Sequence, residues 1–181
     1  MSGANDIAAV AGFWRSAGPE AWFRKDHAFD ASFHARFEAL HWRAARRELA
    51  SWLDSSEGAL ALMILLDQFP RNCFRGTGHM YATDSLARFY ARQAVAAGRD
   101  RGVEDELRLF FYLPFSHSED LSDQELAVKL GADLGEDARI HAIGHRDIVA
   151  RFGRFPHRNA ILGRQSTPEE LAFLDEGGFA G

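Results

Sequence analysis

The residues best suited to chemistry fall into three short clusters, each beside a proline at the end of an apolar run. Asp67-Gln68-Phe69-Pro70-Arg71-Asn72 closes the run from Gly58; Phe115-Ser116-His117-Ser118-Glu119-Asp120 follows Leu109–Pro114; His157-Arg158-Asn159 follows Ile148–Pro156. Arg71, Arg75, Arg151, Arg154, Arg158 and Arg164 supply planar, forked donors, which suit a carboxylate or phosphate gripped through two parallel N–H bonds. His117, Glu119, His157 and Asp67 are the candidate catalytic residues, the first three to give or take a proton, and with the arginines they form the raw parts of acid–base chemistry on an anion. Gln68, Asn72, His145 and Asn159 are candidate ligand contacts beside them. Asp67 sits where a helix should end, so the helix dipole disfavours its charge and it requires a cation nearby. Arg71 has the i,i+4 spacing for that role, but Pro70 between them argues against a continuous helix.

Each of these residues also has a structural reading. From His117 to Asp137 there are seven acids and one lysine, and from Ala138 to Arg164 six arginines and one aspartate. Such neighbouring blocks are expected to neutralise each other across a helix pair, which locks helices rather than building a site. His141 and His145 have the i,i+4 spacing of a two-histidine metal site, with carboxylates at Glu119, Asp120 and Asp123 as further donors. The string His-Ala-Ile-Gly-His lacks the glutamate of the zinc protease motif, and His145 shares a face with Ile148 and Phe152, so no metal and no cofactor is expected. Cys73 is read as a packing residue. There is no phosphate-cradling glycine loop and no nucleophile elbow.

The elements that must position these residues are helices. Val, Ile and Thr together supply only 14 of 181 residues, whereas Ala alone supplies 29, a composition too poor in β-branched residues for a sheet and rich in helix formers. An all-α fold in one domain, residues 1–181, is expected, and a chain of this length buries roughly 70% of its unfolded surface. Asn5 or Asp6, Asp84, the pair Ser122/Glu125 and the pair Thr167/Glu170 are read as helix caps, and Pro19 and Pro168 as first helical residues. The segment Gly58–Phe69 is apolar nearly all round, the mark of a central helix covered on every side. Pro70, Pro114 and Pro156 lie 44 and 42 residues apart, within the range of two-helix repeats that would bring the three clusters to one edge.

The bulk numbers narrow the partners. A net charge of −5 argues against a general nucleic-acid binder. One cysteine excludes an internal disulfide, the apolar stretch Ile7–Trp14 lacks the basic flank of a leader, and the longest apolar run is far short of a membrane span. A cytoplasmic location without membrane contact is expected, and the oligomeric state is left open. Nineteen of the 21 basic residues are arginine, a bias that base composition alone can produce.

Four strings carry a resemblance: Trp22-Phe23-Arg24-Lys25-Asp26 with Phe29-Asp30; LALMILLDQFPRNCFRG (60–76); YLPFSHSEDLSDQE (112–125); and RFGRFPHRNAILGRQSTPEELAFL (151–174). Through them the chain closely resembles the bacterial domain-of-unknown-function family 924 over almost its whole length. The resemblance implies a tetratricopeptide-like α-α superhelix of antiparallel helix pairs and no established activity. It covers Asp67-Gln68, His117–Asp120, His145 and Phe155–Asn159. It does not cover His141, and Glu57 stands where the family often has proline. Two functions remain in competition: binding of a small anionic molecule or an acidic peptide terminus, and a hydrolase or lyase acting on a small anionic metabolite. A third possibility is that the charges only lock helices.

Overall fold

The computed structural model describes residues 2–179, and no strand occurs among them, as the composition requires. The helices are α1 (Ser2–Ala17), α2 (Pro19–Trp22), α3 (His27–Ala45), α4 (Ser56–Met63), α5 (Phe69–Cys73), α6 (Asp84–Ala96), α7 (Asp105–Ser116), α8 (Leu121–Ala132), α9 (Glu136–Phe152) and α10 (Pro168–Asp175). Short 3-10 turns at Gly78–Tyr81 and Pro156–Arg158 present Tyr81, His157 and Arg158 between the longer helices.

Pro19 opens α2, and Thr167 with Glu170 makes the reciprocal capping box of α10. Other caps differ from expectation. The first helix starts upstream of Asn5 and Asp6, and α8 is capped by Asp120, whose carboxylate accepts from the Ser122 N–H, so Ser122 and Glu125 lie inside the helix. Asp84 is the first residue of α6 rather than its cap, which frees its carboxylate for other partners.

The central segment is buried as its all-round apolarity predicts: every residue from Ala59 to Leu66 is wholly inaccessible. It is wrapped by α1, α3, α6 and α7. Aromatic side chains fix the wrapping. Phe13 stacks on Phe29 and Phe33 at 5.1 and 5.2 Å, and Trp14 and Trp22 each meet Phe110 edge-on at 5.2 and 5.0 Å. Full burial of one such ring contributes about 1.5–3 kcal/mol.

Pro70 does not end the helix, contrary to the expectation drawn from its ring. Residues Ile64–Gln68 form a π-helical turn, with the Phe69 N–H donating to the Ile64 carbonyl. Pro70 has no N–H to offer the carbonyl of Leu65 in that wider register, or of Leu66 in the ordinary one. Side chains from outside replace it: His41 Nδ1 donates to the Leu65 carbonyl at 2.8 Å and the Thr83 hydroxyl to the Leu66 carbonyl at 2.6 Å. The helix therefore continues into α5, and Arg71 does sit one turn beyond Asp67. Likewise Pro114 lies inside α7, which runs on to Ser116 and makes His117 its C-cap.

Candidate functional site

Continuation of the two proline-bearing helices brings the first two clusters into contact. Asp67, fully buried, has one carboxylate oxygen 2.8 Å from His117 Nδ1 and the other accepting from Gln68 Nε2 at 2.7 Å. Arg71 Nη1 approaches the same carboxylate at 3.1 Å and donates to the Asp67 backbone carbonyl at 2.9 Å. Burial alone would raise the Asp67 carboxyl, but the Arg71 charge and the hydrogen bonds from His117 and Gln68 outweigh it and hold it well below the usual carboxylate range. A carboxylate only accepts, so Asp67 fixes the His117 proton on Nδ1 and leaves Nε2 with its lone pair. Burial, with Arg71 next, lowers the His117 pKa and favours that neutral form.

The third cluster arrives through Asp84. Arg71 grips it bidentately at 2.8 and 3.0 Å, and Arg158 Nη1 lies 3.6 Å from the Oδ2 that Arg71 Nη2 already holds. That distance is too long for a hydrogen bond. Arg158 is 7% exposed, lies over the rings of Phe155 and Tyr81 at 4.5 and 4.6 Å, and its buried Nε has no partner among the described residues. It is an under-paired interior cation.

A pocket of about 170 Å³ opens where these groups meet. Its polar wall comprises Gln68, Arg71, Asn72, Arg75, His117 and Arg158, joined by His145 and His157. Its apolar wall comprises Trp22, Phe23, Met80, Leu113 and Phe179. Asn72 and Arg75 are held in place by Asp30, to which they donate at 2.7 and 3.0 Å. Burial depresses the pKa of both His145 and His157 to about 4, so both rings are neutral at pH 7. His145 donates from Nδ1 to the His141 carbonyl at 2.9 Å, while the buried Nδ1 of His157 has no partner among the described residues. Tyr81, His117 and Arg158 also face a second, more open groove of about 320 Å³ that includes Ser118 and Glu119.

Other residues singled out in the sequence go elsewhere. Arg154 is clamped on Glu170 at 2.6 and 2.8 Å, Arg151 on Glu169, and Arg164 spends its guanidinium on Glu119, Asn159 and the Phe155 carbonyl. Asn159 in turn donates to Ser166 and Glu170. Glu119 also accepts from the Phe155 N–H, so its two oxygens are committed to tying the loop after α7 to the loop after α9. Arg151, Arg154, Asn159 and Arg164 do not line the smaller pocket, and Glu119 lines the more open groove. The expected neutralisation of the two charge blocks is realised in Glu119–Arg164, in Glu136–Arg139 within α9 and in Glu125–Arg146 between α8 and α9; Asp123 is instead held by Arg88 and Arg92 of α6. No group of three metal-ligating side chains occurs among the described residues. Cys73 has its thiol pushed up to about 12 by burial, as suits a packing residue.

Asp84, Tyr81 and the aromatic wall escaped the sequence reading. Asp84 resembled a helix cap, and nothing in the spacing of Trp22, Phe23 and Phe179 distinguishes a wall from a core.

The model of a family described as bacterial protein of unknown function (DUF924) matches residues 10–178. The solved structure of a protein of unknown function from Agrobacterium tumefaciens is similar, at 59% sequence identity and a TM-score of 0.94, over 96% of this chain and 99% of that one. No curated protein matches. No helix among the described residues is long and apolar enough to cross a membrane.

Proposed function

Since the chain belongs to the bacterial family of unknown function DUF924, whose name assigns no activity, we propose from the pocket itself that it binds a small organic anion there. The observation that carries this reading is Arg158. Burying a guanidinium without full pairing costs several kcal/mol, on the order of 3–5 when a buried partner is missing, and a fold keeps such a group where something else completes it. An anion in the pocket would complete Arg158 and take a hydrogen bond from His157, the pocket histidine whose Nδ1 has no partner among the described residues. The volume is below the several hundred Å³ of sites for drug-sized molecules, which favours a small molecule over a peptide segment. The reading takes the protein as cytoplasmic and its helices as a tetratricopeptide-like array, supported by the recurring prolines and the single cysteine. Titration calorimetry with small carboxylates and phosphates tests it: wild type should bind at least one of them, and Arg158→Gln should lose that binding. If no anion in the series binds, the reading falls.

The Asp67–His117 pair favours a second reading, a hydrolase or lyase acting on the bound anion. His117 Nε2 is left as a base by the fixed tautomer, and removal of a general base typically costs about 10²–10⁴ in rate. Asp67 would be the positioning residue that holds the imidazole. A turnover found in a metabolite screen should fall by that factor in His117→Gln with anion affinity kept. Full turnover in the variant would remove the assignment.

A further inference from the structure

We infer that the ligand of this pocket is a monocarboxylate with a flat apolar body, its carboxylate on Arg158 and His157 and its body against Phe23 and Phe179. The inference rests on the anion-binding reading above and sharpens it to a chemical class.

The charge comes from the pairing pattern. Arg71 already faces two carboxylates, Asp67 at 3.1 Å and Asp84 at 2.8 Å, and Arg75 faces Asp30 at 3.0 Å. Arg158 shares Asp84 at 3.6 Å and is the under-paired member of the set. Arg71, Arg75 and Arg158 already balance Asp30, Asp67 and Asp84 in number, so a single anion is met by the geometry of Arg158, the guanidinium without a hydrogen-bonded carboxylate. A second negative charge would lie near Asp67 and Asp84 with nothing to meet it, and an uncompensated buried charge is strongly disfavoured. Of the five buried ring or guanidinium nitrogens without a partner among the described residues, two, Arg158 Nε and His157 Nδ1, belong to consecutive residues that both line the pocket. A carboxylate offers one oxygen to each.

The body comes from the other wall. Phe23 is 62% exposed and Phe179 41%, large aromatic surfaces left in water at the pocket rather than in the core. Phe179 is placed by a dedicated turn. Gly177 has φ +83, and at Gly178 a Cβ would come within 2.5 Å of the Phe173 carbonyl oxygen, so the double glycine is needed to fold the chain back. The turn sets the Phe179 ring at 4.7 Å from His145 and 5.2 Å from His157. An apolar ring bound there would extend this edge-to-face packing. A pocket of about 170 Å³ has room for a ring-sized body, not for a long chain.

The test is calorimetric titration of the full chain with benzoate, phenyl phosphate, benzyl alcohol and acetate. Benzoate should bind at least tenfold more tightly than each of the other three, Arg158→Met should remove its binding, and Phe179→Ala should weaken benzoate while leaving acetate unchanged. Phenyl phosphate binding more tightly than benzoate would overturn the monocarboxylate assignment and leave anion binding intact. Acetate equal to benzoate would overturn the apolar body alone. Benzyl alcohol equal to benzoate, or no binding by any of the four, would overturn the inference together with the reading beneath it. Because the comparison among ligands is made on the wild-type chain, it stands whether or not a variant folds.

Discussion

Two arginine-rich regions within one 181-residue chain put the same side chain to opposite uses. Between Phe152 and α10, Arg154 and Arg164 are saturated: each guanidinium meets a carboxylate in fork geometry and a backbone carbonyl besides. Around Asp84, one carboxylate is divided between Arg71 and Arg158, and Arg158 is left short. Arg154, Arg158 and Arg164 stand within eleven residues of one another, and their spacing does not tell them apart. Incomplete pairing beside a pocket is what separates a candidate site from a helix lock.

The largest effect should come from the frame that the pocket and its histidine share. Asp67→Ala leaves Arg71 and His117 without their buried partner, and the loss should be about 3–5 kcal/mol in urea unfolding. A loss below about 1 kcal/mol would mean that the pocket is less committed than the geometry indicates. In the saturated region, Glu170 is 2% exposed and accepts from Arg154, Asn159 and the Thr167 N–H. Glu170→Gln should cost about 1–3 kcal/mol by weakening charge-assisted bonds, with anion affinity unchanged. A change in affinity would break the separation of the two regions.

The pH dependence of stability separates them again. His145 and His157 are held at about 4, below the ordinary value of 6.5, so the unfolded chain takes up protons that the fold refuses. Their contribution is complete above pH 6.5 and is lost as pH falls from 6.5 toward 4. Glu170 is held at about 2, chiefly by Arg154, against an ordinary 4.5, so its contribution is present above pH 4.5 and is lost between 4.5 and 2. Because Glu170 is a single side chain against two histidines, its limb should be the smaller. Chemical unfolding from pH 7 to 3 should therefore show an upper limb that disappears in a His145→Phe, His157→Phe variant and a lower limb that disappears in Glu170→Gln. A bound carboxylate makes the pocket histidines easier to protonate, so anion affinity should rise as pH falls from 7 to 5.

Much of this division could be anticipated, and part could not. The prolines directed attention to Asp67, Arg71, His117, His157 and Arg158, which do converge, because buried polar residues at helix ends have few other places to go. The reading failed where a distant partner decides. Pro70 reads as a helix stop until Thr83 and His41 are seen to satisfy the carbonyls it orphans. Asp84 reads as a cap until Arg71 and Arg158 close on it. Arg154 and Arg164 look identical to Arg158 in one dimension, and only Glu170 and Glu119, 16 and 45 residues away in the chain, mark them as saturated.

The smallest stability effect should belong to the most informative residue. Replacing an under-paired interior cation by an apolar side chain of similar volume is often neutral or stabilising by about 1–4 kcal/mol, so Arg158→Met should unfold at the same denaturant concentration as wild type or a higher one. The most direct test of the account is therefore a paired measurement of unfolding free energy and benzoate affinity in Arg158→Met and Arg154→Met. The account predicts that Arg158→Met keeps its stability and loses benzoate, while Arg154→Met loses stability and binds benzoate as wild type does. Loss of stability in Arg158→Met with benzoate binding retained would contradict it.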